Sequence, residues 1–313
     1  MKNKKFIGFI VFLLLCAVAV GGYFGIKSII DSIPVYTVAD SLPDGEGKKA
    51  TVILLAGQSN ASGCSIDEYL KSNVSPEKYA EYEAGYDNVY INYYASGANR
   101  SDEFVKCSVR QGEAGGYFGP ELGLAERLHE SYPDRMFFII KFAWGGTSLS
   151  EKWLSPSSIG KTGTLYKHFI SYTRASMEYL ISKNYDVEIE GMCWMQGESD
   201  SFSVEDGTKY ESRLKACLFD VRLALRKYAG KDGIGFVDAY IADNPIFWVY
   251  CQLVNQSKTK VAESSDLNVI IETRDLITTT EPYDTPDVPH YDSMSEIELG
   301  RRFADALSVF IND

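Results

Sequence analysis

Residues 51–56, TVILLA, form an unbroken apolar run that stops abruptly on Gly57-Gln58-Ser59-Asn60. Further runs follow at NVYINYY (88–94), RMFFIIKFA (135–143), IEGMCWMQG (189–197), IGFVDAYIA (234–242) and LNVIIET (267–273). Runs of this kind, bounded by turn residues, predict strands buried on both faces. Between them, amphipathic patterns predict helices near 120–131, 167–183, 208–229, 245–264 and 295–311. In the last of these, Ser295 and Glu298 have the spacing of a capping box, and Phe303, Leu307, Phe310 and Ile311 fall on one face. Alternating strands and helices predict an α/β protein with a mostly parallel sheet covered on both sides. Two polar stretches, 60–87 and 95–119, break the alternation. Connections this long are either walls and lids of a site or surface elaboration.

The N-terminus follows a different pattern. Residues 6–26 hold no charge and follow Lys2, Lys4 and Lys5. As a helix this segment would be roughly 31 Å long, enough for a hydrocarbon core of about 30 Å. The lysines favour a cytoplasmic N-terminus and hence an external chain. A cleaved signal is the competing reading, but its apolar core is normally shorter, so an uncleaved anchor is preferred. Residues 1–31 are therefore expected to be a membrane anchor or signal segment. Residues 32–49, with Pro and Gly, are expected to be a linker, and residues 50–313 the functional domain.

Without residues 1–31, which hold four lysines and Asp31, the formal charge moves from −12 to −15. Such a surface argues against nucleic acid as a partner. Cys64, Cys107, Cys193, Cys217 and Cys251 remain outside the anchor, none in metal-ligand spacing; an odd number excludes complete internal pairing.

Ligands of open parallel sheets gather beyond the carboxyl ends of the strands. Three of those ends are small and polar: GQSN (57–60), AWGGTS (143–148) and WMQGESD (194–200). A fourth polar block, DVPHYDS (287–293), precedes the final helix and places Asp287 three residues ahead of His290. His129 and His168 lie on or beside amphipathic helices, where a packed or solvated imidazole is expected. Serine needs a base to become a nucleophile, and an imidazole oriented by a carboxylate is the usual one. Ser59, His290 and Asp287 could supply that set. The stretch GQSNASG is not a G-x-S-x-G elbow, because Ala61 stands where the second glycine would be.

Taken together, GQSN, FGPELGLAERL (118–128), KFAWGGTSL (141–149), WMQGESD and D-x-x-H resemble the SGNH hydrolases. The branch they resemble holds the sialate O-acetylesterase domain and the acetylxylan esterases of carbohydrate esterase family 6. The resemblance spans roughly residues 50–312. It implies a three-layer α/β/α flavodoxin-like fold and a serine esterase that removes O-acetyl groups from a carbohydrate such as acetylxylan or a sialate. It further implies Ser59 as nucleophile, His290 as base and then acid, and Asp287 as the group that orients the imidazole. Glu198 is an alternative or additional acid. The oxyanion hole would comprise the N–H of Ser59, an N–H of Gly145 or Gly146, and the side-chain amide of Gln196. No metal or organic cofactor is implied. Two alternatives are a non-catalytic cell-surface carbohydrate-binding module of the same fold, and a lipase or thioesterase of the superfamily.

Overall fold

A strand that is apolar on both faces needs a layer of helix on each, and the computed structural model, which describes residues 35–97, 99–278 and 289–311, has that arrangement. In chain order, β1 (Lys49–Gly57) leads into a short helix, α1 (Ser59–Ser62). The stretch 60–87 goes on to hold β2 (Ser65–Ile66), α2 (Asp67–Asn73) and α3 (Pro76–Ala84). Next come β3 (Val89–Ala95) and three two-residue strands, β4 (Asn99–Arg100), β5 (Val105–Lys106) and β6 (Tyr117–Phe118). The regular alternation then runs α4 (Glu121–Ser131), β7 (Met136–Ala143), α5 (Thr164–Ser182), β8 (Asp186–Met195), α6 (Val204–Leu225) and β9 (Gly235–Ala239). It ends with α7 (Cys251–Ala262), β10 (Asn268–Ile271) and α8 (Ser293–Leu307). The unit that contains all of these runs from Val35.

The main sheet has the order β10-β9-β8-β1-β7-β3-β4, parallel from β10 to β3, with β4 and β5 antiparallel to β3. The chain first winds to one side of β1 and then, after β7, to the other, so the winding reverses at β1. That is where an open sheet forms its crevice. Asn92, reached by Tyr172 and Ser176 of α5, pairs in register with Ile140. Its neighbour Lys141 is reached instead by Glu121 of α4. Successive residues of a strand face opposite ways, so α4 and α5 lie on opposite sides of the sheet. α8 packs on α4, while α6 packs on both α5 and α7. Three layers result. The contact between α4 and α8 is close at Gly123, where an added Cβ would lie 1.9 Å from the Ile297 carbonyl oxygen.

All six expected strands are present, and the five expected helices occur with shifted ends. The final helix begins at Ser293, because the side chain of Asp292, not Ser295, accepts the capping hydrogen bond, from Ser295 N at 2.7 Å. Ser295 Oγ is committed elsewhere, to Ile277 N at 2.9 Å, and Glu298 pairs with Arg302. The helix expected from 245 begins only at Cys251, and residues 245–250 are turns. From Val35 onward the expected linker lies along the domain: Ser41 N and Leu42 N both donate to the Tyr179 hydroxyl, at 2.9 and 3.0 Å. The uncharged run 6–26 lies outside the described residues. Among those described, no helix is long and apolar enough to cross a membrane. Cys64, Cys107, Cys193, Cys217 and Cys251 form no disulfide with one another.

One strand carries a charge into the core. Lys141 of β7 is fully buried, and its ammonium donates to Glu121 Oε2 at 2.6 Å and to the Gln111 carbonyl at 2.9 Å. Glu121 Oε1 accepts from Gly119 N at 2.8 Å. Glu121 neutralises a lysine that would otherwise be stranded, and the pair ties loop 111–119 to the sheet.

Candidate active site

The register of the three central strands explains why their polar ends matter together. Gly57 pairs with Ala143 on one side and with Met195 on the other, so β1, β7 and β8 end at one level. The abrupt stop at GQSN follows from backbone geometry. Gly57 has φ +145°, and a Cβ there would lie 1.9 Å from the Met195 carbonyl oxygen, so only glycine suits the position. Gln58 N then donates to that carbonyl at 2.9 Å, and the chain turns into α1 with Ser59 as its first residue. No hydrogen bond engages the Ser59 hydroxyl among the described residues.

Ser59 and His290 line one cleft of about 360 Å³, together with Gly145, Gly146 and Glu198. Asn60 ties these parts together. Its Nδ2 donates to Glu198 Oε1 at 3.0 Å and to the Pro289 carbonyl at 3.2 Å, linking the serine turn to the tip of β8 and to the residue before the histidine. Ser65 Oγ fixes the other side of His290 by donating to the Tyr291 carbonyl at 2.7 Å. Asp287 lies outside the described residues. Glu198 is almost wholly buried, and burial raises its carboxyl pKa against the opposing pull of Lys258, Asn60 and His290. Its Oε2 has no hydrogen-bond partner among the described residues. Below it, Lys258 Nζ donates to Asp238 Oδ1 at 2.6 Å in a second buried pair, where burial pushes Asp238 up to about 6.

The expected oxyanion donors separate into those that face the cleft and those that do not. Gly145 N donates to Ser96 Oγ at 2.9 Å and is already engaged. Gly146, at φ +65° and exposed, has no partner for its N–H among the described residues. Gln196 departs from expectation. It is fully buried, and its Nε2 has three acceptors within the protein, Asp200 Oδ2 at 2.7 Å, the Thr147 carbonyl at 3.0 Å and, more distantly, Gln58 Oε1 at 3.3 Å, which its two amide hydrogens share. Tyr210 donates to its Oε1 at 2.9 Å and locks the orientation. Gln196 thereby positions the 145–150 turn, which Asp200 also holds through Leu149 N and Ser150 N. Burial pushes the Asp200 carboxyl up to about 6. The amide that does line the cleft is Gln58: its Oε1 accepts from Ser199 N at 3.2 Å and from Gln196 Nε2 at 3.3 Å.

Several lining residues were not visible as site residues in the sequence. Glu113 and Cys64 come from the two irregular stretches, and Phe202, Phe247 and Trp248 from turns after β8 and before α7. Only the acid and aromatic residue types in those stretches hinted at them. Trp153 is buried core, and Trp144 stacks on Tyr94; neither lines the cleft. His129 bonds Asn88 at 2.7 Å and stacks on Tyr86, and His168 bonds Tyr36 at 2.7 Å, as expected of structural imidazoles. Among the described residues no group of three or more His, Cys, Asp or Glu side chains could hold a metal ion.

Residues 49–309 match the sequence family described as carbohydrate esterase, sialic acid-specific acetylesterase. No curated protein sequence matches the chain. Among solved structures, a protein from Arabidopsis thaliana is similar at 17% identity and a TM-score of 0.60, over 86% of this chain and 100% of that one. NanS is similar at 16% identity and a TM-score of 0.61, over 86% and 99%. A catalytic mutant of Axe2, an acetylxylan esterase from Geobacillus stearothermophilus, has 12% identity and a TM-score of 0.42, over 85% and 95%.

Proposed function

The chain belongs to the carbohydrate esterases of the sialic acid-specific acetylesterase family, and on that premise we propose that Ser59, His290 and Asp287 carry out its carbohydrate O-acetylesterase reaction. One observation supports the reading above the rest. The hydroxyl at the tip of β1 and the imidazole ahead of α8 open on the same cleft, on turns that Asn60 ties together.

In the proposed cycle His290 takes the Ser59 proton as Oγ attacks the acetyl carbonyl carbon. The resulting oxyanion lies against Ser59 N–H and Gly146 N–H, with the NH₂ of Gln58 as the third donor in place of Gln196. The bond from acetyl carbon to sugar oxygen then breaks, and His290 gives its proton to that oxygen. Water attacks the acetyl-enzyme, His290 takes its proton, and acetate leaves as Ser59 Oγ regains a proton. Each step is a proton transfer or an acyl transfer, so no cofactor enters the balance.

Asp287, three residues before His290, is the proposed partner that keeps the imidazole in its working tautomer. The environment of Glu198 favours this choice. The Oε1 of Glu198 is bonded to Asn60, which commits that oxygen to holding the serine turn. Asp287→Asn is expected to lower kcat by roughly 10³-fold or more, and Glu198→Gln by about 10- to 100-fold. The reverse ranking, measured on a small acetyl ester, would move the role to Glu198.

The proposed place of work is outside the cell, with residues 6–26 as an N-terminal anchor; the length of that uncharged run and the lysines before it support this. Acetate release from a panel of acetylated polysaccharides, with the Ser59→Ala protein as control, tests the reaction itself. Glycan binding without acetate release would instead favour a non-catalytic module.

A further inference from the structure

The cleft lining combines two chemistries. Phe202 and Phe247, exposed by 58% and 41%, line it with the buried Trp248. Aromatic side chains of this kind suit the apolar face of a pyranose ring. Glu113 lines the same cleft. Its Oε2 accepts from Ser62 Oγ at 2.8 Å and from Cys64 Sγ at 3.1 Å, and Ser62 stands three residues after Ser59 in the same short helix. Its Oε1 takes no hydrogen bond from a described residue and abuts the 145–146 turn: a Cβ added at Gly145 would lie 2.9 Å from it. An open acceptor thus sits in the cleft beside the groups assigned to the oxyanion.

The distribution of charge points the same way. Glu113 and Glu198 both line the cleft, and no lysine or arginine does among its described lining residues. His290 is the only described lining side chain able to carry positive charge, and as a base it must start neutral. A substrate with its own carboxylate would enter without a cationic partner and close to Glu113.

We propose that Glu113 selects the charge of the accepted sugar. Its open oxygen receives a hydroxyl of a neutral acetylated pyranose seated on Phe202 and Phe247, and its carboxylate turns away acetylated sugars that are themselves anionic, sialic acids included. The proposal rests on the esterase reading above and narrows it to neutral acetylated glycans, against the sugar in the family's description. Like charges brought together in a partly desolvated cleft are discriminated by at least about tenfold.

The test compares kcat/KM for three substrates: an acetylated xylotriose, 9-O-acetylated sialic acid, and the methyl ester of that same sialic acid. For the wild-type protein, the methyl ester should exceed the free acid by at least about tenfold, and the xylotriose should exceed it by as much or more. The Glu113→Gln protein, with its folding checked by thermal melting, should close the gap between free acid and methyl ester, mainly through KM of the acid. Rising salt should narrow the same gap in the wild-type protein without any substitution. Equal turnover of free acid and methyl ester by the wild type, or an unchanged ratio in a folded Glu113→Gln protein, would overturn the proposal while leaving the esterase intact. If the wild type also fails to hydrolyse 4-nitrophenyl acetate, the esterase reading falls and this proposal with it.

Discussion

Ser59→Ala is expected to lower kcat/KM for a small acetyl ester by a factor of about 10⁴ or more, with thermal stability close to that of the parent. The size of the loss follows from what the hydroxyl does. In the proposed cycle it is the atom that becomes acylated, a role that neither Asn60 nor the buried Glu198 has there. The fold should be spared because Ser59 is only partly buried and its hydroxyl takes no hydrogen bond from a described residue. The turn itself rests on Gly57, Gln58 and Asn60, whose backbone and side-chain bonds remain. A loss smaller than about tenfold would remove Ser59 as nucleophile, since water activated by the histidine alone does not approach the rate of an acyl-enzyme route.

Lys141→Met is expected to destabilise the protein by about 3–5 kcal/mol. Methionine fills much of the space of the lysine stem, so the cost arises chiefly from what is left behind. Glu121 would be fully buried without its cation, keeping only the Gly119 N–H, and the Gln111 carbonyl would lose its donor. Glu296 makes the surroundings worse for a bare charge. It too is buried, neither of its carboxyl oxygens has a described partner, and burial followed by Glu121 raises its pKa well above the usual carboxylate range. Denaturant unfolding of Lys141→Met and of the Lys141→Met/Glu121→Gln double variant tests this. The double variant should recover part of the loss, because no charge is then stranded. A single-variant loss below about 1 kcal/mol would mean that the pair is not desolvated as described.

How far the sequence foreshadows this molecule depends on whether a feature is local. The strands are legible because runs such as TVILLA and FFII must be covered on both faces, a demand each segment states by itself. That Ser59 and His290 line one cleft is foreshadowed for a related reason: each ends or precedes an element whose direction the pattern already sets. Gln196 shows the limit. Its residue type and its place at a strand tip suit an oxyanion donor, but the direction of its amide is decided by Asp200, Thr147 and Tyr210, two of which act across segments distant in sequence or in fold. Glu113 and Phe247 were hidden in irregular chain. The 245–250 segment has enough apolar residues to extend a helical pattern, yet Asn244, Pro245 and the hydrogen bond from Trp248 N to the Asn244 carbonyl make a turn there. Capping shows the same competition on a smaller scale: Asp292 and Ser295 are both good capping residues, and the tertiary bond from Ile277 N to Ser295 Oγ decides between them.

The most direct test of the account is to find the acyl group. The protein is mixed with 4-nitrophenyl acetate, quenched in acid within the first turnovers, digested and analysed by peptide mass spectrometry. One acetyl group should appear on the peptide that contains Ser59, assigned to Ser59 by fragmentation and absent from the Ser59→Ala protein. Acetate released with no acetylated Ser59, or with the acetyl group on another residue that turns over at the catalytic rate, would contradict the assignment of the nucleophile.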